Sequence, residues 1–138
     1  MIFKQTIAAV LTTTLLATAT VALPAHASET TPVRIPATSA AIWQAIDKET
    51  AILDTLMQTG KLEELHHHAF AIRDLVAALP SHSGSLPAGK VAQIKTSGKY
   101  VATLAERLDA AGDAKDKAAA TSNLRKLKEV LKGIRANE

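Results

Sequence analysis

Cysteine is absent from the 138-residue chain. That excludes disulfide staples, thiol redox chemistry and thiolate metal sites, so the fold must be held by buried apolar surface. Aromatics are almost as scarce, and beyond residue 27 only Trp43, Phe70 and Tyr100 occur. A net charge of +3 is too weak for a phosphate-backbone footprint, and the export expected from residues 1–27 points the same way. Nucleic acid is not an expected partner. Nucleophile elbow, glycine-rich phosphate cradle and convincing carboxylate pair are all missing, so no enzyme is expected either. What the chain does have is alanine and leucine, both strong helix formers. The expected class is all-α.

Residues 1–27 read as a secretory signal peptide. A lone cation, Lys4, precedes an apolar run from Ile7 to Leu23; Pro24 breaks the run, and Ala25-His26-Ala27 offers small residues around a cleavage point. Threonines dilute the run and no cationic stop follows it, which favours removal after Ala27 over a membrane anchor. A periplasmic protein is expected. Losing Lys4 leaves 15 of the 16 basic residues against 13 acidic ones, a net charge of about +2.

Residues 28–37, with Pro32 and Pro36 among threonines, read as a flexible leader. Residues 38–138 carry four apolar stripes at helical spacing, over about 39–59, 62–79, 86–111 and 114–135. The first has Ile42, Ala45, Ile46, Leu53, Leu56 and Met57, with Thr38 or Ser39 as N-cap and Gly60 as left-handed C-cap. Leu62, Leu65, Ala69, Ile72, Val76 and Leu79 line the second, which Pro80 should stop. Ser85 should cap the third, lined by Val91, Ile94, Val101, Leu104, Ala105 and Leu108, with Gly98 on the same seam suited to close helix approach. Gly112 should end it and Asp113 cap the fourth, lined by Ala120, Leu124, Leu127, Leu131 and Ile134. Short links favour an antiparallel up-down-up-down four-helix bundle, as a monomer or homodimer; a dimer of two-helix hairpins is the structural alternative.

The feature that asks for a functional explanation is His66-His67-His68. Exported imidazoles suit copper, zinc and nickel where no thiolate competes. Successive helical residues point about 100° apart, so the three cannot share one ion: His66 and His68 flank the seam and His67 faces away. Glu64 stands four residues before His68, and Met57 lies towards the His66 end as a soft ligand for cuprous ion. Candidate metal ligands are therefore His66, His67, His68, Glu64 and Met57; the bland alternative is a solvated shoulder. The Glu-x-x-His spacings around His66 and His67 echo half a di-iron motif, but helices three and four lack histidine. Glu49 falls inside the first stripe and needs a partner, Lys95 or a histidine of helix two, unless its head reaches water. Lys126, Lys128, Lys132 and Arg135 form a basic run, either a solvated face or a dock for an acidic partner.

Two resemblances follow from these residues. The topology, and the pattern Leu108-Asp109-Ala110-Ala111-Gly112-Asp113 before a leucine-rich last helix, resemble the exported four-helix cytochromes of the b and c-prime types. Those ligate haem late in the final helix, whereas the last histidine here is His82, so the resemblance implies the fold and no haem. The segments Ile42-Trp43-Gln44-Ala45-Ile46, Gly60-Lys61-Leu62, Ala71-Ile72-Arg73-Asp74-Leu75-Val76 within His66 to Leu79, and Tyr100-Val101-Ala102-Thr103-Leu104-Ala105 resemble a small uncharacterised family of bacterial exported helical proteins. That family is similar to accessory proteins found alongside heavy-metal efflux and copper-resistance systems. The resemblance implies periplasmic metal binding or buffering of copper, zinc or nickel, with an efflux-system or envelope protein as partner. The contrasting expectation is a metal-free interaction module that docks an envelope protein or a second copy of itself.

Overall fold

The structure, a computed structural model, describes residues 32–138. The signal peptide expected over 1–27 and the first leader residues lie outside the described residues. Four helices follow: α1 (Ser39–Thr59), α2 (Leu65–His82), α3 (Ala88–Asp113) and α4 (Lys117–Arg135), with a single 3₁₀ turn, Leu62–Glu64, between α1 and α2. The helices pack against one another, and the apolar stripes meet in one core. Every residue named for the second and fourth stripes is buried. In the first and third, Ala45 and Val91 are only half-buried, while Trp43, Leu75, Ala71 and Ala111 join the core. Among the described residues no buried side-chain nitrogen or oxygen lacks a hydrogen bond, and no helix is long and apolar enough to cross a membrane.

Helix ends show where local chemistry decided the boundaries. Thr38 accepts a hydrogen bond from the Ala41 amide at 3.2 Å, and Gly60 closes α1 with φ of 76°. Pro80, expected to stop α2, instead lies inside its last turn. A proline there forfeits only one amide donor, and the Ser81 and Ser83 hydroxyls donate to the Ala78 and Leu79 carbonyls at 2.7 and 2.8 Å. The second helical segment is also not continuous from Leu62, since the 3₁₀ turn precedes α2. Ser85 does not cap α3, which starts at Ala88 after an extended Pro87 with no side-chain cap.

The α3–α4 junction departs most from expectation. Gly112 does not end α3; it is buried within the helix, and a Cβ placed on it would stand 2.4 Å from the Leu62 carbonyl oxygen. Its missing side chain lets the 3₁₀ turn press against α3. Because the glycine is used for that approach, Lys115 takes the left-handed turn conformation, with φ of 53°, and Asp116 rather than Asp113 caps α4 by accepting from the Ala119 amide at 2.9 Å. Gly98 was the glycine expected to permit close packing, yet a Cβ there would meet Val76 Cγ1 at an ordinary 3.6 Å.

Side chains then tie the helices at the surface. Arg135 pairs with Asp47 at 2.7 Å and lies 4.4 Å over the Trp43 ring; Lys128 reaches Asp54 at 2.5 Å. The Glu138 carboxylate accepts from the Trp43 indole, from Ser39 at 3.2 Å and from buried Ser83 at 2.9 Å, joining the two chain ends of the described fold.

Candidate functional site

The histidine run lies in the first turn of α2, which packs against α1. His66 and His68 are half-buried and His67 is exposed, the fan that a helical run of three requires. His68 turns towards the middle of α1 and its Nδ1 stands 2.6 Å from Glu49 Oε2, the two side chains 26% and 22% exposed. The partner of Glu49 is thus a histidine of helix two rather than Lys95 or water alone. A carboxylate oxygen accepts here and Nδ1–H donates, so in the neutral imidazole it is Nε2 that keeps a lone pair for another partner. His66 is oriented in the same manner: its Nδ1 donates to the Glu63 carbonyl at 2.9 Å. The rings of His66 and His67 lie 3.7 Å apart between centroids, tilted by 42°.

Glu49, His67 and His68 line one open concavity of about 390 Å³, together with Val33, Phe70 and Asp74. Val33 brings the end of the leader onto the core here. Asp74 is held by Arg73 at 2.8 Å, and Arg73 in turn covers the Phe70 ring at 4.6 Å. These last residues carry no motif in the sequence; α-helical spacing from His67 to Asp74 was the only available signal.

The other expected ligands lie elsewhere. Glu64 pairs with Lys61 at 3.3 Å, and Met57 is buried beside a different concavity shared with Leu124 and Lys128 of α4. His82 donates to the Ala37 carbonyl at 3.1 Å and pins the leader to the end of α2. Among the described residues no three histidine, aspartate or glutamate side chains stand close enough to hold one metal ion. The arrangement places two imidazoles, one of them hydrogen-bonded to a carboxylate, on the lining of one open hollow. No family model matches the chain, and no curated protein or solved structure matches it either.

Proposed function

We propose that this chain is an exported protein that binds a transition metal ion, copper, zinc or nickel, in the concavity between α1 and α2, as a periplasmic accessory to heavy-metal efflux. In this reading the four helices run alternately up and down. Support for that topology comes from neighbours whose numbers rise on one element and fall on the other: Asp47–Arg135 and Asp54–Lys128 between α1 and α4, and Leu62–Gly112 and Val76–Gly98 between the 3₁₀ turn with α2 and α3. Export is supported by the signal-peptide grammar of residues 1–27, and the link to efflux by the family resemblance.

The observation that carries the metal reading is the Glu49–His68 contact. A carboxylate accepting from Nδ1–H fixes an imidazole's tautomer, holds its ring and raises the basicity of Nε2, the arrangement found behind metal-bound histidines. Glu49 is thus a positioning residue, His68 the principal ligand and His67 the second donor from the same hollow. Water or another molecule completes the shell. Borderline imidazole sites of this kind favour copper, then nickel and zinc.

Calorimetric titration of the processed protein with Cu(II), Ni(II) and Zn(II) tests this. Micromolar or tighter binding is expected, lost in His68→Ala and weakened by about 10–100-fold in Glu49→Gln. His66→Ala and Met57→Leu should bind as the parent does. Equal weak heats from parent and His68→Ala would refute the metal reading and leave a metal-free interaction module.

A further inference from the structure

We propose that the seam between α1 and α4 is a docking groove for an acidic amphipathic helix of a partner protein, independently of the metal site. α1 and α4 touch far less than the other neighbouring helices do. Two hollows open along their seam instead, one of about 190 Å³ floored by Trp43, Ile46 and Leu131, the other of about 440 Å³ floored by Met57 and Leu124. The Asp54–Lys128 bridge crosses between them.

Charge selects the occupant. From α4 the hollows are lined by Lys117, Arg125, Lys128, Lys132 and Arg135, and from α1 by Asp47 and Asp54. Both aspartates are matched, to Arg135 and Lys128, so among the described residues Lys117, Arg125 and Lys132 have no ion-pair partner. A net excess of three cations around an apolar floor complements acidic groups flanking apolar anchors. A second copy apposing this same face would meet like charge and is disfavoured. The crossing bridge also interrupts the floor, which obstructs a continuous alkyl chain but not a helix that straddles it.

Spacing describes that helix. Leu124 to Leu131 and Ile46 to Met57 span seven and eleven residues, roughly 10–17 Å along the axes at 1.5 Å per residue. A partner helix therefore fills both hollows with apolar residues at i and i+7 or i+11, the usual anchoring pattern for a helix in a groove. Carboxylates on its flanks reach Lys117, Arg125 and Lys132.

The probe is a synthetic helical peptide of about 18 residues, roughly five turns, with leucine anchors at those positions and glutamate flanks. Controls are the same peptide with lysine flanks and phosphatidylglycerol vesicles. Trp43, the only tryptophan in the chain, floors one hollow and reports occupancy through its emission. The glutamate peptide should shift that emission, and its binding should weaken by about tenfold or more in the surface variant Arg125→Glu/Lys132→Glu and with rising salt. His68→Ala should bind it like the parent, which separates this surface from the metal site. Equal binding of both peptides, no response to the charge reversal, an unmoved Trp43 signal, or tighter binding to the vesicles than to the peptide would each overturn the proposal.

Discussion

Two glycines inside α3 should answer the same substitution with opposite signs. Alanine in a helix interior is favoured over glycine by about 0.5–1 kcal/mol, and that gain applies at both positions. At Gly98 nothing opposes it, because the new Cβ would rest 3.6 Å from Val76 Cγ1, an ordinary van der Waals contact. Gly98→Ala should stabilise by about that propensity difference. At Gly112 the Cβ would stand 2.4 Å from the Leu62 carbonyl oxygen and 3.3 Å from its carbon. Relief means moving backbone by most of an ångström, and Leu62 is itself buried in the core at the 3₁₀ turn. Overpacking of this kind costs about 1–3 kcal/mol, so Gly112→Ala should lose roughly 1–2 kcal/mol net of the helical gain. Gly133, with nothing within 4 Å of its Cβ position, isolates the propensity effect. Thermal melts followed by helical ellipticity measure all three, and each kcal/mol should move Tm by about 4–8 °C in a domain of this size. A Gly112→Ala protein as stable as the parent, or a Gly98→Ala protein less stable, would refute the packing argument.

Further substitutions test the junctions. Lys115 holds the left-handed conformation at φ of 53°, a strain of about 1–2 kcal/mol for a residue with a Cβ. Lys115→Gly should therefore raise stability by about 0.5–1 kcal/mol after the glycine's greater unfolded-state freedom is deducted; a lower Tm would contradict it. Glu138→Ala removes the acceptor shared by Trp43, Ser39 and Ser83. It should cost about 1–2 kcal/mol and red-shift Trp43 emission, and an unchanged spectrum would show that the carboxylate does not hold the indole.

The core was legible in the sequence because burial follows a period the chain cannot hide. Leucine and isoleucine recurring at three and four residues had to face inward, and in α2 and α4 each did so. Boundaries were less legible. A glycine or a proline has several local uses, and the neighbour that selects among them can be distant in the chain, as at Gly112, or adjacent to it, as at Pro80. Gly112 looked like a helix end because it precedes Asp113 and stands before the next stripe. What fixes it inside α3 is the Leu62 carbonyl, fifty residues earlier in the chain. Pro80 looked like a stop, but Ser81 and Ser83 turn their hydroxyls back onto the last carbonyls.

The candidate site shows the same limit more sharply. Three adjacent histidines draw attention as a set, yet the helix that carries them divides the set: His67 and His68 border one hollow while His66 turns to the Glu63 carbonyl, and that helix alone could not bring all three to one centre. Glu49, by contrast, is one acidic residue among many in the sequence, and only its position within an apolar stripe marks it. A half-buried carboxylate there has to find a donor, and of the three imidazoles it is His68 that meets it, at 2.6 Å. The informative unit is therefore the lone carboxylate with the one ring it orients. A site defined by that pair responds to Glu49→Gln through the orientation of His68, a dependence that a surface cluster of three independent histidines would not have.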